Sequence, residues 1–393
     1  MEKLPPIDPA KRIRKIFTQI DELYPEDRAS KTDLLILANG TEPHLDASFF
    51  YVTGFPYGLF EGSYLLCDRD GGAELVTSLL EEPIAKAFAA AGMEVYAEPD
   101  ADHAKQRVSS LCSELKPSTI ALNSPELTYR SYLELSAILN KRGDSSDVSF
   151  LDAGDAFEAA RMIKDETEIA LIKRACDIAS GIYEKGIPSF LEAGVTESSV
   201  AARMAFEMQE AGASGVSFDS IVAFGKNSAE PHYSAGGSKL RKGQFVLCDY
   251  GARFRRYCSD ITRTLIFGKA SPKQKRVYEV VRSALDLGIE LCTTENTGEF
   301  VHSKVAEKID GTEFRGRFIH STGHSLGLSV HDGPGLSKRY RKKLQPGMVL
   351  TVEPGIYLPE LGGVRIEDDI LVRGGGREPE VLTNATRDLI EVL

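Results

Sequence analysis

Two aspartates in the second half of the sequence are spaced so that their carboxylates could act together. Asp249 lies near the end of the apolar run FVLCDYG (residues 245–251), and Asp260 opens the run DITRTL (260–265). Residues 252–256 are basic and turn-like, so we predict a hairpin centred on them in which Asp249 and Asp260 face each other. Facing carboxylates repel unless a proton or a cation lies between them. Two solvated aspartates at the end of a hairpin are the alternative interpretation.

Two glutamates add a second acidic pair. Glu353 lies in TVEP (351–354), just before a proline that ends a predicted strand, and Glu367 follows Arg365 by two residues, on the same strand face. Buried carboxylates must be paired with a cation or bind a metal. For Glu367 alone, an ion pair with an arginine is the simpler interpretation. Four carboxylates on predicted strands are difficult to satisfy with arginines alone, which favours a metal site.

Three of the seven histidines have surroundings that suit chemistry. His324 lies in STGHSLG (321–327), whose glycines permit close backbone approach, while His331 follows it and His232 lies in EPH (230–232). We predict surface or structural roles for the other four, which are His44, His103, His302 and His320. An imidazole with four carboxylates is a mostly hard ligand set that suits Mn²⁺ or Co²⁺ and also admits Zn²⁺. The number of carboxylates suits two ions with bridging groups, although spacing alone leaves a dimetal site as one interpretation among several.

The elements that would position these residues fall into two predicted domains, 1–155 and 156–393, with the polar stretch GDSSD (143–147) near the boundary. The first alternates strands and helices, which predicts an α/β domain with a mixed sheet; its strands are expected at 34–38, 64–67, 74–77 and 119–122, and its helices at 83–91 and 132–139. The second groups helices and strands separately, which predicts an α+β fold. Its helices are expected at 156–185 (with a second start at 165–168), 198–211 and 273–292, and its strands at 220–223, 244–250, 262–266, 348–356 and 363–371.

The composition limits the partners and the cellular compartment. A net charge of −11 argues against nucleic acid or an anionic membrane surface as a partner. The sequence has no run of roughly 20 apolar residues, and its first eight residues lack the apolar core of a signal peptide. The six cysteines show no CxxC spacing, which predicts reduced, buried thiols in a cytoplasmic protein. A disulfide between Cys248 and Cys258 is the alternative.

Several of these motifs resemble those of one enzyme family. The stretch HSTGHSLGLSVHD (320–332) is similar to the signature shared by aminopeptidase P and proline dipeptidase, and four further blocks match that family: AEPHY, DYGARF with YCSDITRT, TVEPGIY and GGVRIEDD. The resemblance is to the M24 "pita-bread" metallopeptidases and covers the chain from about residue 160 to its end. The first 150 residues resemble the creatinase-like N-terminal α/β domain of the family. Methionine aminopeptidase lacks that domain, so the resemblance favours the proline-directed branch.

The resemblance assigns a role to each candidate residue. It implies a dinuclear metal centre whose five ligands are Asp249, Asp260, His324, Glu353 and Glu367. Asp249 would hold one ion, Asp260 and Glu367 would bridge both, and His324 and Glu353 would complete the other. It implies hydrolysis of the peptide bond before proline by a metal-bridging hydroxide, with Glu353 as proton carrier.

The resemblance places His232 and His331 around the substrate, as donors to its carbonyl oxygen. For His331 the alternative is to orient His324. Arg365 either binds a substrate carboxylate or orients Glu367. The expected substrates are peptides with proline at the second position, and the expected assembly is a homodimer. A creatinase-like C–N hydrolase and a non-catalytic binding module on the same fold are the alternatives.

Overall fold

The computed structural model describes residues 7–29, 31–139 and 148–393. The chain divides into two compact units, one ending at Arg161 and one beginning at Met162. The polar stretch 143–147 lies outside the described residues, and the boundary at residues 155 and 156 stays a prediction.

The first unit is built on a mixed sheet. Within the described residues this sheet has six strands in the order β4-β3-β2-β1-β5-β6, with β1–β2 and β2–β3 antiparallel and the other neighbours parallel. The strands are β1 (Thr32–Ala38), β2 (Tyr64–Asp68), β3 (Ala73–Ser78), β4 (Met93–Glu98), β5 (Thr119–Leu122) and β6 (Ser149–Asp152). The helices are α1 (Pro9–Leu23), α2 (Glu26–Ala29), α3 (Ala47–Thr53), α4 (Glu82–Phe88), α5 (Ala101–Leu115) and α6 (Tyr129–Leu139), while α7 (Gly154–Met162) spans the division. The predicted strands and helices of this unit all correspond to observed elements.

The second unit groups long helices around short, separate sheets. Its helices are α8 (Glu166–Lys185), α9 (Ile187–Phe190), α10 (Glu197–Glu210), α11 (Pro272–Leu291) and α12 (Gly298–Asp310). Its first strands are β7 (Gly215–Val216), β8 (Ile221–Phe224), β9 (Gln244–Tyr250), β10 (Ala252–Phe254), β11 (Tyr257–Cys258) and β12 (Ile261–Phe267). The later strands are β13 (Val349–Val352), β14 (Gly355–Leu358), β15 (Gly362–Arg365), β16 (Asp368–Leu371), β17 (Glu380–Val381) and β18 (Glu391–Val392). The pairings are β18-β12-β9-β8, β11-β10-β7, β13-β16-β17 and β14-β15.

The helix predicted over 156–185 is two helices, α7 and α8, and the second begins at the predicted internal start near residues 165–168. The Asp165 side chain accepts a hydrogen bond from the backbone N–H of Glu168, and the Glu168 side chain accepts one from the N–H of Asp165, both at 2.9 Å. This reciprocal capping satisfies free N–H groups at the beginning of α8. The chain therefore ends α7 and starts α8 afresh.

The predicted strands over 348–356 and 363–371 are each broken at a glutamate. Glu353 lies between β13 and β14, and Glu367 lies between β15 and β16. Pro354, which follows Glu353, has no N–H for a ladder hydrogen bond. Both glutamates therefore lie at breaks between strands and not within a strand.

Alternation along β9 separates the apolar core from the acidic face. Val246, Cys248 and Tyr250 are buried in a cluster with residues of α8 and α10. Since successive strand residues point to opposite faces, the side chain of Asp249 lies on the other face. A second apolar cluster joins α11 and α12 to β13–β16.

The described helices do not include one long and apolar enough to cross a membrane. The cysteine side chains are buried, and Cys248 and Cys258 are free thiols.

Candidate active site

Asp249 and Asp260 come together in a register that differs from the predicted one. In the antiparallel pair β9–β12, Asp249 lies opposite Thr262, so the predicted direct pairing with Asp260 is wrong. The intervening chain forms its own hairpin, β10–β11, around Arg255 and Arg256, whose φ angles are +45° and +74°. Asp260 precedes Thr262 by two residues and shares its strand face. The two carboxylates are therefore diagonal neighbours.

A single pocket contains every candidate site residue. Its volume is about 490 Å³, within the usual range for small-ligand sites. It is lined by the predicted metal ligands Asp249, Asp260, His324, Glu353 and Glu367, by the predicted substrate-contacting residues His232, His331 and Arg365, and by Phe218, Ile221, Pro231, His320, Ser321 and Val330. Sequence reasoning thus identified residues that the fold brings together from distant segments.

His324 is held so that one ring nitrogen faces the carboxylates. Its Nδ1 lies 3.2 Å from the backbone oxygen of Ser325, so Nδ1–H donates there and leaves the Nε2 lone pair available. Nε2 lies 3.5 Å from Oδ2 of Asp260 and 3.8 Å from Oε1 of Glu353. The preceding residue must be glycine, because a Cβ on Gly323 would lie 1.9 Å from the backbone oxygen of Thr351.

The ligand atoms fit a cation. One donor atom from each of Asp260, His324 and Glu367 lies within 4.8 Å of the others. Oδ1 of Asp249 and Oδ1 of Asp260 are buried without a hydrogen-bond partner among the described residues. Such oxygens are costly to bury unless a cation or proton satisfies them. A mostly oxygen donor set with one imidazole suits a divalent ion.

Burial and mutual repulsion favour the protonated carboxyl groups. Burial first, and then the neighbouring carboxylates Glu367 and Asp249, raise the pKa of Asp260 well above its usual value. Burial, Glu353 and Asp249 do the same to the pKa of Glu367. Burial raises the pKa of Glu353 to about 8, against the opposing effect of Arg365. Bound cations would relieve this repulsion.

Arg365 is hydrogen-bonded to the predicted ligand Asp249 and to two hydroxyl groups. Its Nη2 donates to Oδ2 of Asp249, its Nη1 donates to the Tyr357 hydroxyl at 2.8 Å, and its Nε donates to the Thr262 hydroxyl at 3.1 Å. Thr262 in turn donates to Oε2 of Glu367 at 2.6 Å. The observed contacts therefore favour the orienting role, directly on Asp249 and through Thr262 on Glu367. A contact with a substrate carboxylate stays a prediction.

His232 and His331 are exposed side chains of the same pocket. The ring centroids of His324 and His331 are 4.2 Å apart, with the planes inclined at 66°. Partial burial, and then the nearby His232, lower the pKa of His331. His331 therefore lies against the His324 ring and lines the same pocket.

His320 was missed, because the sequence predicted a surface or structural role for it. Its Nδ1–H donates to the Ser321 backbone oxygen at 2.8 Å, and its Nε2 accepts from the Tyr357 hydroxyl at 2.7 Å. Burial and the Arg365 charge lower its pKa to about 4. Its spacing of four residues from His324 was the available indication. The apolar wall of the pocket, formed by Phe218, Ile221, Pro231 and Val330, was also missed.

The pocket contains a donor set that suits a divalent cation, and comparison with known proteins identifies the family. Residues 170–374 match the profile of metallopeptidase family M24, and residues 20–163 match that of the creatinase/prolidase N-terminal domain. The chain therefore belongs to metallopeptidase family M24, which implies divalent metal ions. This confirms the predicted family, the enzyme class and the α+β pita-bread fold preceded by an α/β domain.

The similar proteins include both a dipeptidase and an aminopeptidase. The Xaa-Pro dipeptidase of Pyrococcus furiosus is 36% identical over 271 residues, which cover 69% of this chain and 77% of that protein. Among solved structures, the Xaa-Pro dipeptidase from Bacillus anthracis aligns with a TM-score of 0.85 and 33% identity, covering 98% of this chain and 99% of the other. The X-Pro aminopeptidase from Thermotoga maritima MSB8 aligns with a TM-score of 0.84 and 31% identity, covering 91% and 97%.

Proposed function

We propose that this protein hydrolyses the peptide bond before proline and releases the residue at the N-terminus of the peptide. The observation that carries this proposal is the pocket in which buried, unsatisfied carboxylate oxygens lie beside an apolar wall. The acidic side suits a metal centre and the apolar side suits a proline ring. The similarity to Xaa-Pro dipeptidases and an X-Pro aminopeptidase supports the same substrate class.

The proposed ligands of two divalent cations are Asp249, Asp260, His324, Glu353 and Glu367. Their predominance of oxygen donors supports Mn²⁺ or Co²⁺, with Zn²⁺ as the alternative. When bound, such ions activate a water molecule and polarise the scissile carbonyl group. Arg365 and Thr262 would hold Asp249 and Glu367 in place, since their hydrogen bonds already reach those carboxylates.

Glu353 is the proposed proton carrier. Its carboxyl group lines the pocket beside the other proposed ligands, where it could reach a water molecule held at the metal centre. It would accept a proton from the attacking water and deliver it to the proline nitrogen as the bond breaks. His232 and His331 would donate hydrogen bonds to the scissile carbonyl oxygen as it gains negative charge. Donors placed in advance for that charge are worth about 3–4 kcal/mol each.

The apolar wall is the proposed recognition surface for proline. The proline nitrogen carries no hydrogen, so recognition has to rely on the ring rather than on an amide donor. Phe218, Ile221 and Val330 supply apolar surface beside the acidic centre. Replacing Phe218 by alanine is expected to raise the KM for Xaa-Pro peptides roughly tenfold, because part of the ring's buried contact is lost.

The test compares the dipeptide Ala-Pro with the tripeptide Ala-Pro-Ala. The enzyme is stripped with EDTA and then supplied with Mn²⁺, Co²⁺ or Zn²⁺, and released alanine is measured. We expect no turnover without metal and restored turnover with it; the better substrate distinguishes a dipeptidase from an aminopeptidase. The variant Asp286→Asn, an exposed carboxyl outside this pocket, is the control and should behave as the unaltered protein.

Two results would contradict the proposal. Hydrolysis of creatine that survives chelation would indicate the creatinase-like alternative. Failure to bind any of the three metals would favour a non-catalytic binding module.

The proposed homodimer is tested by light scattering, which should give twice the chain mass of 43.0 kDa. A cytoplasmic location stays a prediction.

A further inference from the structure

A buried lysine lies behind the loop that carries His324 and His331. The side chain of Lys164 is 0% exposed, and its Nζ lacks a hydrogen-bond partner among the described residues. Oδ2 of Asp332 lies 3.7 Å away, and the Asp332 side chain is 2% exposed. A buried ion pair at this separation is not an efficient source of stability, since an apolar pair of similar volume often stabilises as much. The pair therefore calls for another explanation.

Asp332 is built into the turn that links the two histidines. Its Oδ2 accepts the backbone N–H of Leu328 at 3.3 Å, and its own N–H donates to the backbone oxygen of Ser325 at 3.0 Å. That same Ser325 oxygen accepts Nδ1–H of His324. The Ser325 carbonyl group thus accepts hydrogen bonds from both the Asp332 backbone and the His324 ring, so the position of Asp332 affects the orientation of that ring.

The turn is closely packed around this carboxylate. A Cβ on Gly327 would lie 2.1 Å from Oδ2 of Asp332 and 3.1 Å from Cε of Lys164. The Gly327 oxygen accepts the N–H of Cys258 at 2.8 Å, close to Asp260 in the chain. The Lys164 N–H donates to the oxygen of Gly347 at 2.9 Å, just before β13. The backbone of Lys164 is therefore bonded to the segment that leads to Glu353, and its side chain extends to Asp332 at the end of the loop 325–332.

We propose that Lys164 and Asp332 are positioning residues for the metal centre and for His331. Their electrostatic attraction holds the loop 325–332 against the core, so that Ser325 presents its oxygen to His324 and His331 stays beside the His324 ring. This inference rests on the proposed roles of His324 and His331. Neither Lys164 nor Asp332 lines the pocket, so both act through the residues they place.

The experiment uses the double variant Lys164→Met/Asp332→Asn of the full chain. It removes both charges together, and the asparagine keeps an acceptor for Leu328, so the melting temperature should stay close to that of the unaltered protein. Zn²⁺ affinity, measured by calorimetry on chelator-treated protein, should fall at least roughly tenfold, as for other residues that orient metal ligands. On Ala-Pro and Ala-Pro-Ala, kcat should fall while KM changes little, because misplaced donors act mainly on the transition state.

The single variant Asp332→Asn leaves Lys164 charged and unpaired, and it should melt at a lower temperature than the double variant. The matched control is Lys343→Met/Glu295→Gln, which removes an exposed ion pair of 3.3 Å and should leave stability and Zn²⁺ affinity unchanged. A double variant at 164 and 332 that keeps full Zn²⁺ affinity would overturn the proposal, as would one that stays as unstable as the single variant. Calorimetry needs no substrate, so it decides this point even if neither peptide is hydrolysed.

Discussion

Without bound metal, the protein should become less stable as the pH rises above about 6.5. Burial raises the pKa of Glu353 from 4.5 to about 8 and that of Asp369 from 3.8 to about 8. In the unfolded chain both groups lose their protons near the lower values, whereas the folded chain keeps them up to about pH 8. The folded state therefore binds more protons over this range, and its stability falls as the pH increases.

The size of this loss of stability follows from the number of protons by which the folded and unfolded states differ. Each group contributes about 1.4 kcal/mol per pH unit, so Glu353 and Asp369 together remove about 2.7 kcal/mol between about pH 6.5 and 7.5. For a unit of this size the melting temperature should fall by roughly 5–11 °C. Below about pH 6.5 the trend should level off, because burial lowers the pKa of His320 and of His324 to about 4. Those histidines resist protonation in the folded state and so remove stability as the pH falls.

Scanning calorimetry at the two pH values, with EDTA and with Mn²⁺, measures the effect. The loss of stability should be present in the chelated protein and smaller with Mn²⁺, whose charge stabilises the ionised carboxylate of Glu353. The variant Asp369→Asn should reduce the slope, since one of the titrating groups is removed. A chelated protein whose melting temperature is constant or rises between the two pH values would refute the reasoning.

Four further substitutions test individual assignments. Asp260→Ala or Glu367→Ala should abolish turnover and lower the metal content measured by plasma emission; full activity in either variant would contradict the bridging role. His331→Asn should lower kcat about 10²–10³-fold with little change in KM, in line with a lost transition-state donor; a change confined to KM would indicate ground-state binding instead. Arg365→Lys should weaken metal binding roughly 10–100-fold by releasing Asp249, whereas a rise in KM with intact metal affinity would assign Arg365 to a substrate carboxylate.

The carboxylates of the pocket could be singled out from the sequence because each lies in or beside an apolar segment, and the family resemblance then assigned them as predicted ligands. Asp249 in β9 and Glu353 after β13 follow buried runs, where a charged side chain requires a partner. Their exact relation was not predictable. The residues between β9 and β12 form the separate hairpin β10–β11 instead of a simple turn. This shifts the register of the β9–β12 pair, so Asp249 faces Thr262 rather than Asp260. Hydrophobic pattern gives the faces of strands but not the register across an unrecognised hairpin.

The supporting residues were out of reach for a different reason. Thr262, Tyr357 and Lys164 are ordinary in their local sequence and acquire roles only through contacts with distant segments. The start of α8, by contrast, was predictable, because Asp165 and Glu168 have the spacing of a capping box. Local pattern therefore located the predicted ligands and their strands, while the contacts of Thr262, Tyr357 and Lys164 depended on tertiary structure.

The wide sequence separation of the site also has a consequence for folding kinetics. Arg365 and Asp249 are 116 residues apart, and Glu367 and Thr262 are 105 apart. Contacts of such separation form late, because closing long loops costs entropy before the contacts repay it. A cation site built from all these segments forms only after they have come together, so a cation bound there stabilises the native state and not the early stages of folding. It should therefore slow unfolding far more than it speeds folding, and so act as a kinetic lock on the native state.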